Sequence, residues 1–383
     1  MDMNLDSHDL GGEETEDILA ALINYVVKSD EELRKDIENE TSGTELKVFV
    51  AENRGYELGT LDREIRDLIE SPNAGKYIQD FISGHTFSEE LLNDEVSYVE
   101  IHTANYERTD QFIFFDDDDY LKILTAERRD WTKKTVERLL EYLPSLDRLF
   151  LSSDDLRDIV DDLPKTSISG FTAKYYSYET DQSVTIQFHG GSEADLQKVE
   201  DEFGARPTRL EFDQANSPSV ALKSSIDRNG YFKLMRVRRG SEAKGLETLE
   251  EIFDDYERHD REHFEIDSIP RRVPVKNGFT IEGFTTLRLL EQDSRSSKTP
   301  LEELEEAILS KRRYEFTEWE PGNYLVFDTE HNEPFEIGIE CRDLAIYAKE
   351  ATTSVTLREF CNLILEDFNS SYRLDKTSEK LRG

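Results

Sequence analysis

The chain of 383 residues carries 47 Lys and Arg against 85 Asp and Glu, a formal net charge of −38, with 36% apolar residues and two cysteines. That apolar content fills real cores and excludes a disordered acidic tail; no apolar run approaches the ~18 residues of a membrane span, and two cysteines cannot build a disulfide framework. The opening stretch is acidic and lacks the basic region of a signal peptide, so the expectation is a cytoplasmic, multidomain α+β protein with antiparallel sheets and helices packed on one face.

In chain order, residues 1–13 read as a flexible leader. A helix over 14–28 follows, with Ile18, Leu19, Leu22, Ile23 and Val26 on one face. Leu46–Val50 reads as a strand, residues 61–93 as helix broken at Pro72-Asn73 and Gly84, and Tyr98–Ala104 as a strand. A pattern of hairpin and then helix now recurs. Its first copy is Phe112–Phe115, a turn at Asp116–Asp119, Tyr120–Thr125, and a helix from Trp131 through Val136, Leu139 and Leu140. The second is Val220–Ile226, a turn Asp227-Arg228-Asn229-Gly230 whose last two residues suit positive φ, strand Tyr231–Arg238, and a helix after Ser241. The third is Phe335–Glu340, a turn at Arg342-Asp343, Leu344–Ala348, and a helix capped by Thr356 with Glu359.

The middle copy has a longer lead-in. Residues 183–189 alternate as a half-buried strand, and Ser192 caps a helix with Leu196, Val199 and Phe203 inward. Leu210 and Phe212 mark the next strand. The resulting order of strand, helix, three strands and helix over 183–257 is similar to that of TATA-binding-protein-like half-repeats and related grip-shaped folds. Lys276-Asn277-Gly278 and Gly283 suggest a hairpin and a bulge, Thr299-Pro300-Leu301-Glu302 starts a helix, and 313–340 returns to strands. The expected domains are 14–164, 168–258 and 264–375, each α+β, with a tail at 376–383.

The charge is uneven. Residues 1–100 hold 8 basic and 26 acidic residues, whereas 201–300 hold 17 and 19. Segment 219–239 alone carries Lys223, Arg228, Lys233, Arg236, Arg238 and Arg239 against Asp227, a local net of +5. Further bases follow at Lys244, at Arg271, Arg272 and Lys276, and at Lys311, Arg312 and Arg313. Guanidinium groups bind phosphate or carboxylate bidentately, and Tyr231 and Phe232 add aromatic surface. In strand 231–239, simple alternation places Arg236 and Arg238 on the face of Phe232 and Leu234. The expected binding residues are Lys233, Arg236, Arg238, Arg239, Arg271, Arg272, Lys311 and Arg312.

Other motifs carry other chemistry. His259-Asp260-Arg261-Glu262-His263 has the H-x-x-E-H spacing at which two histidines share a zinc ion and a glutamate polarises water; such a site needs a third ligand downstream, and Glu336 and Glu340 are candidates that nothing in the sequence selects. Its segment is charged all round and sits at a predicted helix end before a strand at Phe264–Ile266. Gly190-Gly191-Ser192 reads as a capped strand-to-helix turn rather than a phosphate loop. Asp116–Asp119 lacks the Gly and distal Glu of a calcium loop. Cys341 and Cys361 suit small apolar core positions, and His85, His102 and His189 are isolated.

The expectation is therefore a non-enzymatic binding or adaptor protein without a cofactor, engaging nucleic acid or an acidic protein through the Arg-rich residues 219–313, with no membrane partner. The alternatives are a metal-dependent hydrolase using His259, Glu262 and His263, and an acidic nucleic-acid mimic built on residues 1–100. The spread of carboxylates, with 2 Cys and 3 Met, points to a salt-adapted cytosol in which salt screens the self-repulsion. Thermal unfolding should accordingly shift upward from low salt to molar KCl; a midpoint that salt leaves unchanged contradicts this reading.

Overall fold

A computed structural model describes residues 14–29, 31–32, 44–70, 76–117, 119–177, 182–216, 219–264, 271–274, 280–283, 286–291, 313–329, 333–340, 343–349, 352, 354–368 and 372–376. The fold is α+β, built on antiparallel sheets. The elements run α1 (Thr15–Asn24), β1 (Val27–Lys28), β2 (Leu46–Asn53), α2 (Leu61–Glu70), α3 (Lys76–Gly84), β3 (His85–Leu91), β4 (Val96–Thr103), β5 (Arg108–Asp117) and β6 (Tyr120–Thr125). Next come α4 (Arg129–Thr132), α5 (Val136–Tyr142), β7 (Leu146–Arg148), α6 (Ser153–Asp162), β8 (Thr166–Ser177), β9 (Gln182–His189), α7 (Glu193–Phe203), β10 (Arg206–Asn216), β11 (Ser219–Asp227), β12 (Tyr231–Arg238) and α8 (Glu242–Phe264). The chain ends with β13 (Arg271–Pro274), β14 (Thr280–Gly283), β15 (Thr286–Glu291), β16 (Tyr314–Glu320), β17 (Asn323–Asp328), β18 (Glu333–Glu340), β19 (Asp343–Ala348), α9 (Ser354–Asn362), a π-helical extension Leu363–Phe368, and β20 (Tyr372–Lys376).

Two compact units partition the chain. The first comprises residues 1–149, 159–168 and 210–257; the second comprises 150–158, 169–209 and 258–383. In the first, strands pair in the order β3-β4-β5-β6-β2-β12-β11-β10. Alternation divides the side chains of β2 between two faces. Phe49 and Ala51 join a core with Val99, Ile101, Phe112, Phe114 and Leu121, closed by Leu61, Ile65 and Leu68 of α2 and Val136, Leu139 and Leu140 of α5. Val48 and Val50 point to the opposite face, crossed by α8, whose Phe253 ring lies 4.8 Å from the Lys122 ammonium and whose Glu257 pairs with it at 2.9 Å.

The second unit contains the β8–β9 hairpin, α7, the β13–β14 pair and a sheet ordered β16-β17-β18-β19-β15-β20. Tyr324, Val326, Phe335, Ile337, Leu344 and Ile346 of that sheet pack on Leu357, Phe360, Cys361 and Ile364. Arg358 and Asp260, both buried, form a bidentate pair (Nε–Oδ1 3.1 Å, Nη2–Oδ2 2.6 Å). Each satisfies the other's charge away from water, and the planar fork matches the carboxylate.

The recurring hairpins and helices lie where the sequence places them, with instructive differences. Residues 85–91, read as helix, form β3, because His85–Leu91 pairs along its whole length with Ser97–Thr103. Residues 166–177 form a strand that alternation alone did not disclose. Phe203 is exposed, its ring 5.5 Å from that of Tyr175. Thr356 does not cap α9, which begins at Ser354; its hydroxyl donates instead to Glu333 at 2.8 Å. The helix after Ser241 runs on through His259-Asp260-Arg261-Glu262-His263 to Phe264, the first residue of the expected strand Phe264–Ile266, whose other two residues lie outside the described residues.

The β11–β12 turn is fixed by a carboxylate and a glycine. Asp227 Oδ1 accepts from the amides of Asn229 (3.0 Å) and Tyr231 (3.3 Å). Positive φ falls on Gly230 (+66°) but not on Asn229, and the Gly230 carbonyl accepts from the Val50 amide at 3.0 Å. A Cβ there would lie 2.8 Å from the Val50 carbonyl oxygen and 2.9 Å from Leu149 Cβ. Gly230→Ala should therefore cost about 2 kcal/mol or more in chemical unfolding, from both φ and contact; an unchanged midpoint contradicts the packing described.

A candidate anion-binding face

Strand β12 carries three of the eight expected cations, Lys233, Arg236 and Arg238, on the first unit's sheet. Against β2, Phe232 stands opposite Val48 and Leu234 opposite Leu46. Against β11, Ser224 pairs with Leu234 but Lys223 pairs with Arg236, so Met235 is an extra, unopposed residue: a β-bulge. The bulge shifts side-chain alternation by one. Val237 is buried with Phe232 and Leu234, and Arg236 moves to the face of Lys233. Arg236 and Arg238 thus leave the face of Phe232 and Leu234, on which simple alternation places them, because the bulge breaks the period of two.

The result is a row of like charges. Lys233 lies directly opposite Lys47, and Arg236 directly opposite Lys223. Directly opposed like charges destabilise a sheet. Glu45 answers the first pair, 3.1 Å from Lys233 Nζ and 3.7 Å from Lys47 Nζ. Lys47 is buried, and its pKa is lowered, first by that burial and further by the charges of Lys233 and Arg129, against the pull of Glu45 and Glu127. Lys223 and Arg236 are half-buried, and among the described residues no carboxylate lies within ion-pair distance of either.

Beside the row, the Arg129 guanidinium sits 4.1 Å from the Tyr231 ring centroid and 5.7 Å from that of Phe49, and bonds Glu137 at 2.5 Å. Arg108 pairs with Asp110 at 2.5 Å and also with Glu127. The Glu127 carboxyl pKa is raised, by burial first and then by the charge of Asp110, with Arg108 opposing both.

The other expected residues fall beyond β12 or outside the described residues. Arg239 is 69% exposed, 4.0 Å from Glu32, and Arg238 lies alongside Lys28 of β1. Arg271 and Arg272 stand opposite Gly283 and Glu282 on the β13–β14 pair of the second unit. Lys311 and Arg312 lie outside the described residues. Their neighbour Arg313 is spent internally, bidentate to Asp328 (3.1 and 2.6 Å) and paired with Glu359.

His259, of the H-x-x-E-H segment, is buried, and its Nδ1 lies 3.1 Å from Asp155 Oδ1, while Glu262 of the same helix is exposed. Among the described residues no group of three or more His, Cys, Asp and Glu side chains is arranged to hold a metal ion. Ser192 and Asp195 complete a capping box, which occupies the amide that an anion would need at Gly190-Gly191-Ser192. In the acidic turn, Asp117 pairs with Lys122, and Asp116 accepts from Asn53 at 2.9 Å. Cys361 is a buried core residue, and Cys341 lies outside the described residues.

No protein-family model matches the chain, and no curated protein matches it in sequence. Sequence reasoning passed over Lys47, Arg129 and Arg108, and left Lys223 out of the binding set. Cross-strand register joins the two lysines to the row, and sequence separation hides it. A usable signal existed at Arg128-Arg129-Asp130-Trp131-Thr132-Lys133-Lys134, four bases against one acid in an acidic region.

His259 supports a pH test. Burial disfavours its charged form, yet the hydrogen bond and charge of Asp155 outweigh burial, and its pKa is raised. A raised folded pKa contributes stability that is fully present below the unfolded value near about 6.5 and is lost as pH rises through the folded value. His259→Asn should therefore reduce unfolding free energy more at about pH 5.5 than at about pH 9; the opposite ordering contradicts the pair.

Proposed function

We propose that the protein is a non-enzymatic binding protein of a salt-adapted cytosol, and that it engages a polyanion through the cationic row of the first unit. The observation that carries this reading is the Lys223–Arg236 pair, two directly opposed cations with no carboxylate counter-ion among the described residues of a chain whose net charge is −38. Carboxylates are abundant, so a pair with none beside it among the described residues is an arrangement that an external anion completes. The neighbouring Lys47–Lys233 pair shows the internal alternative, since Glu45 bridges it. The geometry suits contact bonding over long-range steering: high salt screens distant charges, whereas a half-buried guanidinium retains its bidentate hydrogen bonds.

The test is binding of a fluorescent single-stranded oligonucleotide and of labelled poly-L-glutamate to the full chain and to its Lys223→Glu/Arg236→Glu variant. The variant should bind the polyanion recognised by the wild type at least about tenfold more weakly, with a log–log salt slope smaller by about 2. Equal binding by the two proteins overturns the proposal, and so does the absence of binding to either probe.

A further inference from the structure

Close to the cationic row, the first unit presents aromatic rings with cations held against them. Tyr106 ends the 3₁₀ turn Ala104–Tyr106 between β4 and β5, and the left-handed Glu107 (φ 48°) then reverses the chain. The residue is 58% exposed. Trp131 of α4 is half-buried and meets Tyr106 edge-on, with centroids 5.0 Å apart at 74°. The Arg108 guanidinium lies 5.0 Å from the Trp131 centroid, and Lys134 Nζ lies 4.5 Å from Trp131 and 4.9 Å from Tyr106. Arg128, 76% exposed, and the exposed Lys133 flank them. Carboxylates nearby among the described residues include Asp110 and Glu127, both engaged by Arg108, Asp130 at 3.8 Å from Arg128, and the exposed Glu107. Glu127 and Arg129 also act electrostatically on Lys47, which ties this cluster to the row on β2 and β12.

Resting on the polyanion reading, we infer that the polyanion is a single-stranded nucleic acid whose unpaired bases stack on Tyr106 and Trp131 while its phosphates meet Lys134, Lys133 and the Lys223–Arg236 pair. Two features select this partner. An exposed phenol ring on a turn tip offers a π-face to a flat aromatic group, which every base of a nucleic acid presents and the carboxylate side chains of an acidic peptide do not. In a duplex the bases are already stacked on one another, so their faces are unavailable to such a ring. Lys134 rests on both rings from an exposed position; rotating toward a phosphate exchanges a cation–π contact for an ion pair and leaves the ring free for a base.

The experiment compares three probes on the full chain: a single-stranded oligonucleotide of about 20 nucleotides, the duplex of the same sequence, and poly-L-glutamate. It uses wild type, Tyr106→Ala, Tyr106→Phe, and a Trp319→Phe background in which Trp131 is the remaining tryptophan. The expected result is tighter binding of the single strand than of either other probe. Tyr106→Ala should weaken only the single strand, by about tenfold, Tyr106→Phe should restore it, and Trp131 fluorescence should be quenched on binding. Equal affinity for all three polyanions, or unchanged binding by Tyr106→Ala, overturns the stacking inference while the polyanion reading stands. Failure of every probe to bind removes both.

Discussion

One extra residue in β12, Met235, determines which side of the first unit's sheet carries its cations. Without it, the period of two would send Arg236 into the apolar layer of Phe232 and Leu234, where an unpaired guanidinium is prohibitively costly. With it, Val237 completes that layer and Arg236 emerges opposite Lys223. The same bulge thus serves packing on one face and charge on the other.

The protein treats its cations in two ways. Among the described residues, several are neutralised at home: Arg358 by Asp260, Arg313 by Asp328, Arg108 by Asp110, and Lys233 by Glu45. Of these four, Lys233 alone belongs to the expected binding set. Lys223 and Arg236 differ, because the register sets them against each other with no carboxylate between them among the described residues. Net charge is a background on which this local exception stands out.

Much of the fold is legible in the sequence, because alternation and helical periodicity report burial directly. The hairpins at β5–β6, β11–β12 and β18–β19, the Ser192 cap and the start of α8 all follow from residue pattern and turn chemistry. Legibility ends where a distant partner decides. His85–Leu91 carries two glutamates and looks helical, yet pairing with β4 makes it an edge strand. Thr356 looks like a cap, but Glu333 offers its hydroxyl a partner. The candidate site shows the same limit: Arg236 was visible as a charge, whereas its face depends on the bulge and its neighbour Lys223 on register. Lys47 lies far from Lys233 in sequence, and Glu45 bridges the two in space.

Lys223 and Arg236, directly opposed without a carboxylate beside them among the described residues, should repel each other in the free protein, and a double-mutant cycle of Lys223→Gln and Arg236→Gln in urea at low salt measures that directly. The predicted result is that each single change stabilises the fold by a few tenths to about 1 kcal/mol and that the second adds less than the first, because one substitution already removes the repulsion. Destabilisation by both single changes, with a favourable coupling between the native residues, would show the pair to be an internal structural element and contradict the account.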